Sequence, residues 1–352
     1  MSGKTNPGNF FEDFRLGQEI VHATPRTVTE GDVALYTSLY GSRFALASST
    51  PFAQTLGLER APIDSLLVFH IVFGKTVPDI SLNAIANLGY AGGRFGAVVY
   101  PGDTLSTTST VIGLRQNKDG KTGVVYVHSV GVNQRNEMVL EYTRWVMVRK
   151  RDFDAPAPET VVPALPESVP VMDLTVPYRL QPGQYDLARA GSPYLWEDYE
   201  VGEKIDHVDG VTIEEAEHMQ ATRLYQNTAR VHFNLHVEKE GRFGKRIVYG
   251  GHIISLARAL SFNGLANALS IAAINSGRHT NPSFAGDTIY AWSEIRDKME
   301  IPGHSDIGAL RVRTVATKDR SCHDFPYQNP DGTYDPAVVL DFDYTVLMPR
   351  RM

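Results

Sequence analysis

The sequence is poor in cysteine, in long apolar runs and in net positive charge. Cys322 is the single cysteine among 352 residues, which excludes a disulfide framework and indicates a reducing compartment. The most apolar run, residues 63–73, is far shorter than the ~20 residues that a membrane-spanning helix needs. The net charge of −6 gives no sign of a nucleic-acid or anionic-membrane partner. No basic segment leads into an apolar run near residue 1, so no signal peptide is predicted and a cytoplasmic location is expected.

What the chain does contain is an internal repeat, the first pattern to look for in a chain of this length. Three blocks recur in the same order between 184 and 200 residues later: FFEDFRLGQEI (10–20) with YLWEDYEVGEKI (194–205), GGRFGAVVYPGDT (92–104) with SGRHTNPSFAGDT (276–288), and VLEYTRWVMVRKR (139–151) with VLDFDYTVLMPRR (339–351). The turn-rich insertion at 321–336 explains the largest offset. The chain is therefore predicted to be a duplication.

A proline-rich segment separates the two halves. Residues 152–178 contain six prolines, and proline restricts the backbone and removes hydrogen-bond donors, so an extended linker is predicted. The predicted division is an N-terminal domain at 1–151, a linker at 152–190 and a C-terminal domain at 191–352.

Each half contains one long and almost wholly apolar helix candidate, at 64–77 and at 250–269. A helix that is apolar on all sides has to be buried on all sides. The strand candidates, which alternate in polarity or are rich in β-branched residues, lie at 103–114, 122–132, 138–148, 287–296, 308–317 and 337–348. The predicted fold class is α+β, a double hotdog in which two antiparallel sheets each wrap around a long central helix.

Two motifs resemble those of a known enzyme family. The block R-F-x5-P-G-D-T at 94–104, repeated in part at 278–288, resembles the strand signature of MaoC-like (R)-specific enoyl-CoA hydratases. The stretch YQNTARVHFN at 225–234 is similar to that family's catalytic signature, roughly S-G-D-x-N-P-x-H-x-D, and the pair at 250–251 is similar to the H-G pair that opens the central helix. The resemblance covers nearly the whole chain and implies an acyl-CoA substrate.

The resemblance assigns catalytic roles to three residues. His232 takes the place of the family histidine, a general acid–base group that titrates near neutrality. Gly251 takes the place of the glycine whose backbone N–H stabilises the thioester oxygen as it becomes an enolate. Asn227 stands where the family has an aspartate. An amide cannot act as a base, so it would orient a water molecule or hold the His232 ring.

The resemblance also suggests substrate-binding residues. Arg230 replaces a family proline, and a guanidinium matches the geometry of a carboxylate, so a free carboxylate on the substrate is its expected partner. Arg43 occupies the same place in the first half. Aligned on these two arginines, Ala45 falls at the position of His232, so the first half is predicted to be catalytically degenerate and to shape the acyl-CoA pocket.

Two further candidates are weaker. Asp64 begins the first-half helix, where the counterpart of Gly251 is expected. It would either face the shared site or cap the helix. His252 follows Gly251 and would contact the substrate.

The leading hypothesis is a hydro-lyase of a branched, dicarboxylic enoyl-CoA such as mesaconyl-CoA. An (R)-specific hydratase of uncharged acyl chains and a non-catalytic acyl-CoA-binding hotdog stay open. A thioesterase is less favoured, because the second-half helix candidate carries no carboxylate. No metal site or cofactor is predicted, since the histidines lack paired ligand spacing and the glycine-rich stretch lacks a P-loop lysine. Assembly into a homo-oligomer stays open as well.

Overall fold

The computed structural model describes residues 3–351, and the strands of both halves form one continuous 11-stranded antiparallel sheet. The strands are β1 (Glu19–Thr27), β2 (Ala84–Phe95), β3 (Thr104–Gln116), β4 (Thr122–Val132), β5 (Met138–Arg149), β6 (Lys204–Asp206), β7 (Val211–Thr212), β8 (Ser270–His279), β9 (Thr288–Glu300), β10 (Ile307–Lys318) and β11 (Val338–Pro349). Their order across the sheet is β1-β3-β4-β5-β2-β8-β11-β10-β9-β6, with β7 also paired to β9.

Ten α-helices accompany the sheet within residues 3–351. They are α1 (Glu30–Tyr40), α2 (Ala45–Ser48), α3 (Thr50–Thr55), α4 (Ser65–Thr76), α5 (Leu187–Ala190), α6 (Glu215–Leu224), α7 (Arg230–Phe233), α8 (Leu235–Glu238), α9 (Gly250–Leu260) and α10 (Phe262–Leu265). The starts of α1 and α6, of α2 and α7, and of α4 and α9 each lie 185 residues apart. The duplication seen in the sequence is therefore also present in the backbone.

The halves meet where β2 pairs with β8. Tyr90 lies opposite Gly277, and Arg94 lies opposite Ala273. A Cβ atom on Gly277 would stand 2.8 Å from the Tyr90 ring. The absence of a side chain at Gly277 therefore leaves room for the Tyr90 ring on the neighbouring strand.

The two central helices behave differently at their ends. In α4, every residue from Leu66 to Thr76 is buried, as predicted for a helix that is apolar all round. The prediction for the second helix, 250–269, is wrong at its C-terminal end, because α9 stops at Leu260. Asn263 and Gly264 break the helical path, and Gly264 has a φ of 115°. Its missing side chain lets the turn pack on Ile205, since a Cβ there would come within 2.5 Å of that side chain.

The proline-rich segment is extended and contacts both halves. Val161 forms a β-bridge with Leu114, and the Val169 N–H donates to Asn275 Oδ1 at 2.9 Å. Few of its backbone groups pair with each other, as expected for a chain rich in proline. Among residues 3–351, no helix is long and apolar enough to cross a membrane.

One close contact joins α4 to the second half of the chain. A Cβ atom on Gly74 would lie 1.8 Å from the carbonyl oxygen of Tyr225. The helix can approach the 225–227 loop only because residue 74 has no side chain.

We expect Gly74→Ala to lower the free energy of unfolding by about 1–3 kcal/mol, because the methyl group forces the loop away from the helix. Gly31→Ala is the matched control. A Cβ at this exposed position in α1 meets only Thr29 Oγ1 at 3.5 Å, so the better helix propensity of alanine should stabilise it by up to about 1 kcal/mol. Urea denaturation measures both changes, and equal stabilities for the two variants would contradict the close-contact interpretation.

Candidate active site

A cavity of about 250 Å³ lies between the two halves. It is lined by parts of α4 and β2, the inward face of β5, the loop before α7 and α7 itself, the start of α9, and the chain that follows β8. The residues are Phe73, Val77, Ser81, Ala84–Asn87, Tyr90, Arg144, Asn227, Ala229, Val231, His232, Ile247–Gly250, Ile253, His279–Ser283 and Val339. None of these residues is an aspartate or a glutamate. Any carboxylate chemistry in the cavity therefore has to come from a ligand.

His232 reaches this cavity from α7 with one ring nitrogen already engaged. Its Nδ1 lies 2.8 Å from the Ile247 carbonyl oxygen. A carbonyl only accepts, so Nδ1 carries the hydrogen and Nε2 keeps its lone pair. Burial of the ring lowers the pKa of His232 to about 4, although the bond to Ile247 opposes this shift. The imidazole is thus neutral at pH 7 and presents a free base.

Asn227 lies on the same cavity and is only 2% exposed. Its Oδ1 accepts a hydrogen bond from the Ala229 N–H at 3.1 Å. The side-chain NH₂ group makes no hydrogen bond to any residue in 3–351, so the amide offers the cavity a donor. It can hold the oxygen of a water molecule but cannot remove its proton.

The N-terminus of α9 forms another part of the wall. Gly250 lines the cavity, whereas the predicted Gly251 lies one residue further along the helix and does not. Both N–H groups are in the first helical turn, where no intrahelical acceptor exists, and within residues 3–351 neither has another acceptor. A Cβ atom added to Gly250 would lie 2.4 Å from the His279 ring, and one added to Gly251 would lie 2.3 Å from the Tyr249 ring. Glycine is therefore required at both positions.

The structure does not bring the two predicted arginines to the cavity. Arg230 is exposed, and its Nη1 donates to Asn83 Oδ1 at 3.2 Å. Arg43 is also exposed, with its guanidinium 4.5 Å from the centre of the Phe262 ring. Side chains on either side of Arg230 line the cavity, but that of Arg230 does not.

His252 and Asp64 also lie away from the cavity. His252 is 1% exposed and contacts the Tyr40 hydroxyl through Nδ1 at 2.9 Å. Asp64 caps α4, accepting from the Leu66 N–H at 2.8 Å. Its position corresponds to that of Tyr249, the residue before α9 begins, and not to that of Gly251.

Two much smaller cavities occupy the corresponding place in the first half. Their volumes are about 60 and 30 Å³, and Ala47, Asp64 and Arg258 help to line the smaller one. With α2 and α7 superimposed by their starts, Ala47 occupies the position of His232. The sequence alignment that put Ala45 there was two residues out of register, because α2 begins at Ala45 where α7 begins at Arg230. Neither of these cavities is lined by a histidine.

Two cavity residues were missed from the sequence, His279 and Arg144. His279 Nε2 lies 3.4 Å from the Tyr90 hydroxyl, and burial, followed by the charge of His232, lowers its pKa to about 4. The sequence did contain a sign of His279, because it stands in the second repeated block where the first block has Phe95. The Arg144 side chain points from β5 into the protein interior, at a position where strand alternation predicts a core residue.

The described chain, residues 3–351, contains no group of three or more His, Cys, Asp or Glu side chains arranged to hold a metal ion.

We expect the His232 ring to stay neutral well below the pH at which a free imidazole takes up a proton. Since burial depresses its pKa to about 4, protonation should begin only below about pH 5. A ¹⁵N NMR titration of histidine-labelled protein, assigned with a His232→Gln variant, should show a protonated Nδ1 and an unprotonated Nε2 from pH 8 to 5.5. A titration midpoint near 6.5 would contradict this.

Comparison with known proteins shows to which family the chain belongs. A profile described as "MaoC like domain" matches residues 12–133 and again residues 198–316. A protein of Chloroflexus aurantiacus called β-methylmalyl-CoA dehydratase is 89% identical over 351 residues, which is 100% of both chains. A protein of Cereibacter sphaeroides called mesaconyl-CoA hydratase is 59% identical over 349 residues, 99% of this chain and 100% of the relative.

A solved structure from Mycobacterium tuberculosis, described as a double hotdog fold, superimposes with a TM-score of 0.74 at 25% identity. The match covers 97% of this chain and 99% of that one. The predicted double hotdog is therefore confirmed, with the difference that its two sheets are continuous through β2 and β8. The chain belongs to the MaoC-like dehydratase family and carries the family's domain twice.

Proposed function

We propose that the chain catalyses the reversible hydration of mesaconyl-CoA to β-methylmalyl-CoA, as a hydro-lyase of CoA thioesters. Two relatives named for this substrate and product match the chain along its whole length. One geometric observation supports the proposal most directly. The neutral imidazole of His232 and the N-terminus of α9, with its unpaired N–H groups, line the same cavity.

The thioester oxygen is bound at the start of α9. The Gly250 N–H lies on the cavity wall and is free to donate, and the unpaired Gly251 N–H behind it adds to the positive end of the helix dipole. Negative charge builds on this oxygen as the enolate forms, so the donor and the dipole stabilise the transition state more than the substrate. A donor of this kind is worth about 3 kcal/mol.

The proton transfers are assigned to His232. Its Nε2 takes a proton from water while the water oxygen bonds to the β-carbon of the enoyl group, and the Asn227 NH₂ group holds that oxygen. The imidazolium then gives the proton to the α-carbon, and the thioester carbonyl is restored. Nothing is oxidised or reduced, and one molecule of water is added. The lowered pKa of His232 favours the second step, because it makes the imidazolium a stronger acid.

Because Asn227 stands in the position of the family aspartate, the roles of base and acid are divided differently in this site. Because the cavity wall contains no carboxylate, His232 serves as base and acid in turn. His279 is the other titratable imidazole on the wall, and its contact with Tyr90 places it beside Gly250.

We expect His232→Ala to fold normally and to lower kcat for mesaconyl-CoA hydration by about 10²–10⁴-fold, the usual contribution of a general acid–base group. His236→Ala is the control, since His236 is exposed on α8 and lies outside the cavity. Initial rates at saturating substrate and circular dichroism of both variants test this. A folded His232→Ala variant with normal turnover would refute the assignment.

We also expect activity without a metal or an organic cofactor, since backbone donors and an imidazole provide every transfer in this scheme. Dialysis against a strong chelator should leave kcat and KM unchanged. The opposing result is a loss of activity that an added divalent ion restores.

A further inference from the structure

We propose that Arg144, supplied by the first half of the chain, binds the free carboxylate of the substrate and selects dicarboxylic enoyl-CoA thioesters over uncharged ones. This inference rests on the proposed function, and it names the residue that would give that function its substrate preference.

Arg144 is a buried charge in an unusual place. It lies on β5 at a position where the alternating side chains point inward, between Tyr142 and Val146, and its exposure is 0%. An arginine that is fully buried needs a compensating partner, because an isolated charge in a protein interior is costly. The side chain also belongs to the wall of the large cavity.

The partners of Arg144 are all uncharged. Its Nη2 donates to Thr76 Oγ1 at 2.7 Å, and both terminal nitrogens lie 3.4 Å from Ser81 Oγ. The guanidinium carbon stands 4.3 Å from the centre of the Phe73 ring. Its Nε has no hydrogen-bond partner, and within residues 3–351 Arg144 forms no salt bridge. The guanidinium therefore has one unpaired N–H and no charged partner, and its side chain borders the cavity.

Two further side chains with unsatisfied polar atoms line the same cavity. Both the Oδ1 and the Nδ2 of Asn87, and the Oγ of Ser283, are buried without a hydrogen-bond partner, and both residues are part of the wall. Three unsatisfied polar side chains on one cavity indicate a polar ligand group, because native proteins rarely leave such atoms unpaired.

The smaller of the two first-half cavities offers an internal comparison. It also contains a buried arginine, Arg258, whose guanidinium lies 3.5 Å from the centre of the Phe44 ring. That cavity includes its own carboxylate, Asp64, and the charge of Asp64 opposes the effect of burial on the pKa of Arg258. The cavity with His232 has an arginine but no carboxylate. The substrate is the natural source of one.

Two aromatic rings connect Arg144 to His232 along the cavity wall. The His232 ring stands 5.7 Å from the Tyr249 ring, and the Tyr249 ring stands 5.7 Å from the Phe73 ring, against which the Arg144 guanidinium packs. In mesaconyl-CoA the free carboxylate is attached to the β-carbon that receives the water oxygen. A residue that holds this carboxylate therefore also positions the reacting carbon.

The test compares kcat/KM for mesaconyl-CoA and for crotonyl-CoA, which has a methyl group in place of the carboxylate and also lacks the methyl group on the α-carbon. For mesaconyl-CoA, Arg144→Met should lower kcat/KM by about 30- to 1,000-fold, the effect of removing one partner from a buried charge pair. It should change the value for crotonyl-CoA by much less, so the preference between them shrinks or inverts. Arg144→Lys keeps the charge but loses the fork, and should show a smaller loss in the same direction. If Arg144→Met does not fold, Arg144→Lys decides the matter.

Arg230→Leu tests the rival arginine suggested by the sequence. Because Arg230 lies outside the cavity, the ratio of the two kcat/KM values should not change in this variant. A selective loss for mesaconyl-CoA in Arg230→Leu but not in Arg144→Met would overturn the inference. An equal loss for both substrates in Arg144→Met would also overturn it, because a structural role affects them alike.

Calorimetric titration separates this inference from the proposed function. Succinyl-CoA and butyryl-CoA are both saturated and cannot be hydrated, and only the first has a free carboxylate. The wild type should bind succinyl-CoA more tightly, and Arg144→Met should lose that difference. If the wild type fails to hydrate mesaconyl-CoA, the proposed function falls, and this titration alone decides whether Arg144 is a carboxylate site. No preference for succinyl-CoA in the wild type refutes it.

Discussion

The pairing of β2 with β8 is the constraint on which the rest of the architecture depends. It joins two hotdog units into one sheet and fixes the register between them. Asn87 and Tyr90 on β2 are thereby held beside His279 at the end of β8. A cavity whose walls come from both halves follows directly from this pairing, because neither sheet alone supplies all of its sides.

The buried helices make this joint arrangement rigid. α4 and α9 are linked through a polar cluster in an otherwise apolar core, where Ser255 Oγ lies 2.9 Å from His70 Nε2 and 3.0 Å from the Tyr36 hydroxyl. Buried polar groups that are satisfied in this way favour one packing arrangement over others. Duplication then allowed the halves to diverge: the second kept the imidazole and the open helix end, and the first contributes an arginine and the cavity wall.

Much of this could be predicted from the sequence, for identifiable reasons. The apolar run at 64–77 and the alternating strands are local patterns, so the fold class and most element positions followed from them. His232, Asn227 and the glycine pair were found through a motif. The position of Arg230 outside the cavity could not be foreseen, because sequence spacing does not show which way a side chain points from a short helix. Arg144 and His279 were missed because their roles depend on the β2–β8 contact, which no local pattern contains.

The burial of Arg144 has a consequence for the protein when its cavity contains no ligand. A charge enclosed among hydroxyl groups and aromatic rings raises the free energy of the native state, and the surrounding apolar core has to offset this cost. A neutral side chain at position 144 would remove that cost, and selection for stability alone would favour it. Under the proposed role of Arg144 in carboxylate binding, substrate preference and thermodynamic stability favour different residues at this position.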